Sequence, residues 1–392
     1  MAVQNGVVMA GSVLYLPLIH EFAERRGVVA WVQAGVVLLG GLGAPVAGAA
    51  LDRWGPPRLF AAGAALAALG LSLGSQAVSL PVLVLTYGLI AGAGLSLLGS
   101  PPNMVVVAEW YPARRGRAIA LADLGTPLGA FALVPLCQVL VERWGWRASL
   151  LSLAAILLVI VVPANAFQRL PPPRADPARS PKDGPSDGRP LRAAARTATF
   201  WWLVALRFLI GVGFALVNLH AVAVAVDAGI TPLRAAGALG GVAMVSLAGR
   251  LAVGWLVDHL GPAPALTMSF GSGLGGLACL ALLAATREPF WLAGFVLLYG
   301  LAQGSGGIVT TAAATAAFAG PAVGRITGVI AVASGPGEAL GAWAGGALYD
   351  GSRWYGQALA LSAGALVLGV VAIRQAERAS SARPTGARGV RM

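Results

Sequence analysis

Residues 48–56 read GAALDRWGP and residues 254–262 read GWLVDHLGP, so one Gly-x-x-x-Asp pattern followed by Gly-Pro occurs twice, 206 positions apart. A second pair is YGLIAGAG at 87–94 and YGLAQGSG at 299–306, 212 positions apart. A third match is the dipeptide Gly-Arg, at positions 116–117 and 324–325. Three matches at nearly one offset indicate that the chain contains two copies of one structural unit.

The composition is that of a membrane protein. Of the 392 residues, 57% are hydrophobic and 11% are charged, and the mean hydropathy is +0.78. Soluble domains are about 25% charged, so this chain has too few charges to cover a soluble surface. Disorder is excluded because disordered chains are polar and highly charged. The 54 glycines suit helices that pack closely in lipid.

The apolar residues form long runs that predict membrane-spanning helices. Each run is long enough to cross a hydrocarbon core of about 30 Å. None alternates between apolar and polar residues, which excludes a transmembrane β-barrel. We therefore predict an all-α integral membrane protein with twelve transmembrane helices in two pseudo-symmetric six-helix halves. The runs cover about 2–19, 29–50, 59–79, 82–107, 117–141, 147–167, 199–226, 235–257, 263–285, 289–318, 326–349 and 355–373.

One long polar stretch divides the chain. Residues 168–197 carry seven prolines and seven basic residues, which is typical of a linker. This gives four predicted parts: an N-terminal six-helix half at 1–167, a cytoplasmic linker at 168–197, a C-terminal six-helix half at 198–374 and a cytoplasmic tail at 375–392.

The net charge of +12 is explained by membrane topology better than by nucleic-acid binding. With the N-terminus in the cytoplasm, the predicted cytoplasmic loops and tail hold eighteen Lys and Arg residues, and the opposite side holds seven. This excess follows the positive-inside rule with both termini cytoplasmic, as in a multi-pass protein of a bacterial-type inner membrane. The first apolar run lacks the features of a signal peptide and is short for a span, so the natural start of that helix is left open.

Several motifs resemble one transporter family. The GAALDRWGP loop and its weaker copy are similar to the signature loop of the major facilitator superfamily. The sequence WYPARRGRA at 110–118 resembles the helix 4–5 loop of the branch that holds monocarboxylate transporters and oxalate/formate antiporters, as do YLPL at 15–18 and the positions of His220 and Arg250. The resemblance implies a secondary transporter, a symporter or antiporter of the plasma membrane, with a small organic anion as substrate.

Arg250 is the first candidate for the substrate site. It lies eight residues before Asp258, about 12 Å inside the predicted cytoplasmic boundary. A guanidinium group stays charged and holds a carboxylate by two parallel hydrogen bonds, and the resemblance implies the same role. A structural ion pair with a neighbouring helix is the alternative.

Three other ionisable residues within the helices are candidates for proton coupling, because charges in hydrocarbon are costly. Glu338 fits coupling or substrate contact, with a counter-ion role toward Arg250 or lumen solvation as alternatives. Asp123 fits proton transfer or a salt bridge that closes the inner side. His220 fits a proton-linked gate or a simple hydrogen bond. Arg207 better fits a side chain that snorkels to the interface or a structural pair.

Tyr15 and Gln303 are further candidates for polar substrate contacts, although packing or interfacial roles fit them equally well. The chain departs from the family at two places: helix 1 has no lysine, and Ser246 stands where monocarboxylate carriers have an acid. Oxalate carriers have a second cation in helix 11, where this chain has Glu338. One arginine facing one acid favours a singly charged anion.

A separate group of residues predicts a conformational latch, meaning contacts that hold the cytoplasmic helix ends together in one conformation. Glycines there allow close packing, and aspartates at helix ends can pair with cytoplasmic arginines. The group consists of Gly48, Asp52, Arg53, Gly55, Gly254, Asp258, Gly261, Arg114, Arg115 and Arg117. Helices 5 and 11 also contain matching Gly/Pro sequences, GTPLG at 125–129 and SGPG at 334–337, which predict interrupted helices beside the site.

No enzyme is indicated. The sequence has no phosphate-binding loop for ATP, and its three histidines lie on separate helices, so we expect no catalytic residues, metal or other cofactor. The expected partners are a small-molecule substrate, the lipid bilayer and protons, with the chain acting as a monomer. Two alternatives stay open: an exporter of drug-like or cationic molecules, and a non-transporting membrane sensor.

Overall fold

The computed structural model describes residues 1–111, 115–168, 189–320 and 322–381, without the side chains of residues 115–117, 120, 189 and 190. Within these ranges the chain is helical, with no strand. Two π-helical segments, Val84–Ala91 and Leu157–Val161, lie inside longer helical stretches. The α-helices are α1 Ala2–Phe22, α2 Arg26–Leu42, α3 Ala44–Ser75, α4 Leu80–Leu83, α5 Gly92–Leu97, α6 Ser100–Trp110, α7 Arg115–Asp123, α8 Gly125–Ile156, α9 Val162–Ala166, α10 Arg189–Ala195, α11 Ala198–Asp227, α12 Pro232–Leu260, α13 Pro262–Thr286, α14 Phe290–Ala302, α15 Ser305–Ala317, α16 Val323–Val332, α17 Ser334–Ser352 and α18 Gly356–Ser381.

Nine helical stretches in the described part of the chain are long and apolar enough to cross a membrane. A tenth apolar helix, α2, is shorter. The stretches do not correspond one to one with the twelve apolar runs of the sequence, because sharp turns occur inside α3 and α8 and because α16 and α17 are separate helices. The nine stretches are Ala2–Phe22, Ala44–Ser75, Leu80–Trp110, Leu121–Ala166, Ala198–Asp227, Pro232–Leu260, Pro262–Thr286, Phe290–Ala317 and Gly356–Ser381.

Three glycines make turns of one kind between consecutive helical segments. The backbone φ and ψ angles are 75° and 167° at Gly55, 79° and 170° at Gly145, and 87° and 171° at Gly261. Only glycine adopts this region without strain, so each glycine allows the chain to reverse without a loop. Gly55 and Gly261 occupy equivalent positions in the repeated motif, so the two copies share a backbone conformation as well as a sequence.

The expectation that Gly48 and Gly55 allow close packing stays a prediction, because residues 112–114 and the side chains of 115–117 lie outside the described residues. Among the described residues, no atom from outside the local chain lies within 4 Å of the place where a Cβ would stand at either residue, and the same is true of Gly254 and Gly261. Gly55 and Gly261 are explained by their positive φ angles. Nothing in the structure explains why positions 48 and 254 are glycine.

The predicted interruptions of helices 5 and 11 are confirmed. Helix α7 ends at Asp123 and α8 begins at Gly125, and α16 ends at Val332 while α17 begins at Ser334. The chain is also interrupted between α14 and α15, where Gly304 has a φ angle of +90°. These interruptions leave backbone groups outside the regular helical hydrogen-bond ladder, and such backbone is tolerated at membrane depth only around a cavity or inside protein.

Glycines bring helices from the two sequence repeats into backbone contact. A Cβ at Gly346 of α17 would lie 2.7 Å from the carbonyl carbon and oxygen of Arg26 in α2, and one at Gly335 would lie 2.9 Å from the Cα of Gly41. Helices α2 and α17 therefore touch along their length, with glycine on both sides of the contact.

Candidate functional site

A cavity of about 550 Å³ lies between helices that come from both sequence repeats. The three interrupted regions all contribute to its wall, through Thr126, Gly304 and Ser334. The cavity extends toward the end of the molecule at which α1 begins, where Gln4 lines it. Irregular backbone and a few polar side chains thus surround a space large enough for a small molecule.

Arg250 lines this cavity and forms an ion pair with Asp123. The two residues are 127 positions apart, on α12 and at the end of α7, and both are half-buried. Asp123 also accepts a hydrogen bond of 3.2 Å from the hydroxyl of Thr126. The Nε atom of Arg250 is buried and has no hydrogen-bond partner among the described residues. The ion pair therefore connects the two repeats beside the cavity and leaves part of the guanidinium group unused.

The break between α14 and α15 holds Arg250 in place. A Cβ at Gly304 would lie 2.6 Å from the Nε atom of Arg250, so only glycine leaves room for this side chain. The preceding residue, Gln303, donates a hydrogen bond of 2.9 Å to the side-chain oxygen of Asn218 on α11. Both amides line the cavity, and Oε1 of Gln303 has no partner among the described residues. The Gln303 amide thus lies at the cavity wall with one oxygen that no described residue bonds.

Glu338 lines the cavity, but its charged neighbour is not Arg250, the counter-ion that the sequence suggested. Its charge interacts with Arg207, whereas Arg250 pairs with Asp123. Arg207 also lines the cavity, so the interpretation that it snorkels to the interface is wrong. Helix α11 packs so closely on α17 that a Cβ at Gly211 would lie 2.9 Å from the backbone nitrogen of Glu338. The cavity therefore has two arginine–acid combinations instead of one.

A second polar cluster closes the opposite end of the molecule. Arg26 makes two hydrogen bonds to Asp227, of 2.7 and 3.0 Å, and its Cζ lies 3.8 Å from the ring centre of Tyr349. Asp350 accepts hydrogen bonds from the backbone nitrogens of Arg26 and Gly27, at 3.0 and 2.7 Å. We call these residues, with Tyr355, Tyr15 and His220, the Arg26 cluster; it joins α1 and α2 to α11, α17 and the residue that precedes α18.

Tyr15 and His220 belong to the Arg26 cluster and do not line the cavity. The Tyr15 hydroxyl donates to the backbone oxygen of Arg26 at 2.8 Å. Nε2 of His220 lies 2.9 Å from the carbonyl oxygen of Ala342, which can only accept, so Nε2 carries a proton. In the neutral ring Nδ1 then accepts from the hydroxyl of Tyr355, at 3.3 Å. Tyr15 is therefore a less suitable substrate contact than its sequence position suggested.

The predicted latch residues are partly described. Asp52, Arg53 and Asp258 are exposed and form no ion pair with any residue in the described ranges. Arg114 lies outside the described residues, as do the side chains of Arg115 and Arg117, so the latch stays a prediction. Gly48, Gly55, Gly254 and Gly261 lie at the helix ends around it.

The sequence analysis does not assign three residues to the polar contacts in which the structure places them. Asn218 was overlooked, although an amide in the apolar helix α11 was a usable signal. The position of Arg207 near the start of its helix also fits a side chain that snorkels to the interface, so the sequence does not identify it as a cavity residue. Arg26 was counted only as a charge on the outer side, since nothing local indicates its partners, which are about 200 and 325 positions away along the chain.

These features define a helical membrane transporter, and comparison with known proteins gives its family. The Major Facilitator Superfamily profile matches residues 1–335, so the chain belongs to that superfamily. It is 32% identical over 301 residues to monocarboxylate transporter 13 of Bos taurus, an alignment that covers 76% of this chain and 68% of the relative. It is 30% identical over 356 residues to monocarboxylate transporter 3 of Rattus norvegicus, covering 89% and 72%. Within the superfamily the chain therefore resembles the monocarboxylate transporters, and it is a multi-pass membrane transporter and not an enzyme.

Solved structures have the same fold at low sequence identity. A variant of the nucleoside transporter NupG has a TM-score of 0.75 and 13% identity, over 96% of this chain and 97% of that one. A bacterial homologue of the human lysosomal transporter Spinster, in an inward-facing and unoccupied conformation, has a TM-score of 0.69 and 15% identity, over 97% and 94%.

Proposed function

We propose that this protein is a secondary active transporter that carries a small organic anion, best matched by a monocarboxylate, by alternating access. The observation that carries the proposal is the position of Arg250: a guanidinium group at the cavity wall, held by an acid from the other sequence repeat. A substrate carboxylate can replace the Asp123 carboxylate at the same fork. The relatives named as monocarboxylate transporters support this substrate class.

The architecture that we propose has twelve spans in two six-helix halves, at 1–167 and 198–374, joined by the cytoplasmic linker at 168–197 and followed by the tail at 375–392. Residues before Gly55 would complete the second span, and α16 with α17 would form the eleventh. Gly145 would separate the fifth span from the sixth. The matching turns at Gly55 and Gly261 and the paired helix breaks support this division.

We propose that both termini are cytoplasmic, which the Lys and Arg distribution supports. The Arg26 cluster would then close the outer side, and the cavity would extend inward. In this orientation the conformation is inward-facing. In the outward-facing state the Arg26 cluster would separate and the latch residues Asp52, Arg53 and Asp258 would come together with the cytoplasmic arginines.

Proton coupling follows from the charges around the cavity. Two arginines, Arg207 and Arg250, and two acids, Asp123 and Glu338, lie at or beside the cavity. When all four side chains are ionised, their net charge is zero. A bound monocarboxylate adds one negative charge, and an uncompensated charge in a dehydrated cavity is costly. Protonation of Asp123 or Glu338 removes this cost, so we propose symport with one proton, or exchange of one anion for another. His220 is a weaker candidate because it lies in the Arg26 cluster.

The alternative of an exporter for cationic or drug-like molecules would require an excess of acidic groups at the cavity. The balance of two arginines and two acids among the described residues does not favour it. No observation favours a non-transporting sensor.

Uptake into proteoliposomes tests the proposal. The protein should accumulate labelled short monocarboxylates when the outside is made acidic, and Arg250→Gln should reduce this uptake at least about tenfold, since it loses the charge-assisted pair. Arg287→Gln, which changes an arginine at the end of α13 away from the cavity, is the matched control. Uptake of no carboxylate, or uptake that is indifferent to Arg250, would contradict the proposal.

A further inference from the structure

Arg207 is a second arginine at the cavity, and its side-chain contacts differ from those of Arg250. Arg250 is bound to Asp123, whereas Arg207 forms no hydrogen bond or ion pair with any residue in the described part of the chain. It lies nine residues after the start of α11, about 14 Å into the helix. A charged side chain at such depth, facing a cavity without a direct partner, is available to a ligand.

The two arginines approach the same short segment. A Cβ at Gly307 would lie 3.8 Å from Nη1 of Arg207, and one at Gly304 would lie 3.1 Å from Nη2 of Arg250. Positions three residues apart have Cβ atoms roughly 5–6 Å apart, so the two guanidinium groups lie within about 13 Å of each other. An extended four-carbon dicarboxylate with a hydrogen bond at each end covers a similar distance.

Glu338 determines whether Arg207 can attract a second anionic group. Its carboxylate faces the same cavity and is the charged group whose field acts on Arg207. While Glu338 is ionised, its negative charge cancels the attraction of Arg207 and repels any further anion. A neutral group at position 338 would leave Arg207 uncompensated.

We propose that Arg207 and Glu338 form a charge-selecting subsite, which selects substrates by the number of anionic groups they carry. Arg250 binds the first carboxylate of the substrate. The negative charge of Glu338 compensates the positive charge of Arg207, so the protein accepts monocarboxylates and rejects dicarboxylates. This inference rests on the proposed anion transport and adds a specificity-determining pair to it. Replacing Glu338 by a neutral residue should convert the cavity into a site for dicarboxylates.

The test is competition in counterflow exchange, which needs no proton gradient. Proteoliposomes exchange labelled butyrate in the presence of unlabelled butyrate or succinate, which have the same number of carbons. In Glu338→Gln the inhibition constant of succinate relative to butyrate should fall roughly ten- to hundredfold, the range expected for one charge-assisted hydrogen bond. The double variant Glu338→Gln with Arg207→Gln should lose this gain. Glu288→Gln, an exposed acid at the end of α13, should behave as the wild type.

Arg207→Gln alone provides a second measurement if the Glu338 variants fold poorly. It leaves Glu338 without its compensating charge, so butyrate should bind at least about fivefold more weakly, whereas Arg207→Lys should restore most of the binding. Unchanged selectivity in Glu338→Gln, or a gain that persists without Arg207, would overturn the subsite while leaving the monocarboxylate function intact. A wild type that exchanges no monocarboxylate would overturn the proposed function itself.

Discussion

At the scale of single residues, the ion pair between Arg250 and Asp123 would make binding of the proposed substrate a competition between two carboxylates. Nη1 of Arg250 is held by the carboxylate of Asp123, and in the proposed mechanism a substrate carboxylate displaces that carboxylate. The displaced Asp123 keeps its hydrogen bond from Thr126 and becomes a free carboxylate beside the cavity. A freed acid next to a buried cation site is a suitable acceptor for the coupled proton.

Asp123→Asn should therefore tighten substrate binding. Without the competing carboxylate, the KM for monocarboxylate counterflow is expected to fall about threefold or more, whereas uptake should respond less to an inward proton gradient. Thr126→Ala, which keeps the acid, serves as the comparison. A higher KM in Asp123→Asn, like that of Arg250→Gln, would mean that Asp123 only positions the arginine.

Gly304 provides a second residue-scale prediction. Alanine there would meet the Arg250 side chain at 2.6 Å and would also adopt a positive φ angle, so the KM should rise about tenfold or more. Gly229→Ala separates the two causes, because Gly229 has a φ angle of +95° but no neighbouring atom of the described residues within 4 Å of its Cβ position. That control should cost about 1–2 kcal/mol of stability and leave the KM unchanged. An equal effect of both variants on the KM would contradict the role assigned to Gly304.

At the scale of helices, the contact between α2 and α17 connects the two sequence repeats, which the proposed alternating access would move apart. The contact is made by glycines at both ends: Gly346 meets Arg26 beside the Arg26 cluster, and Gly335 meets Gly41 beside the cavity. Small residues allow this approach in lipid, where packing is the main attraction between helices. Separate changes at the two ends should therefore bias the carrier in opposite directions.

Gly346→Ala should weaken closure at the end held by the Arg26 cluster. The new Cβ would lie 2.7 Å from backbone atoms of Arg26, which cannot move without displacing α2. With Ser12→Cys as a reporter at the cavity, membrane-impermeant thiol reagents added outside should label Gly346→Ala several times faster. Gly351→Ala is the control, since Gly351 is on the same helix and no neighbouring atom in the described part of the chain lies within 4 Å of its Cβ position. Equal labelling of the two variants would refute the predicted position of the outer closure.

Some features of the helices can be predicted from the sequence, and others cannot. The breaks at 124 and 333 follow from local Gly and Pro patterns, and Arg250 was found because a charge in an apolar run is conspicuous. The pairing of Arg250 with Asp123 was not predicted as such, because the partners lie 127 positions apart and several acids were available. For the same reason the sequence does not predict the Arg26 cluster, whose members come from four helices and the residue before α18 and carry no local signature.

At the scale of the whole molecule, the balanced charges predict electroneutral transport. One monocarboxylate with one proton leaves the net charge of the cavity unchanged, so the moving halves carry no net charge across the membrane. Uptake driven by a fixed pH gradient should be the same at clamped potentials of about 0 and −100 mV, a difference worth about 2.3 kcal/mol for each transported charge. Uptake that depends on the clamped potential would contradict one-to-one coupling.

The most direct test of the central claim, that Arg250 binds the substrate carboxylate in this cavity, is protection of a cavity cysteine by substrate. Ser246 lies one turn before Arg250 and lines the cavity, and the natural Cys137 and Cys279 are buried and can be replaced by alanine. We predict that a short monocarboxylate slows alkylation of Ser246→Cys in a saturable way and that Arg250→Gln abolishes this protection. Alkylation that ignores every carboxylate, or protection that survives the loss of Arg250, would contradict the account.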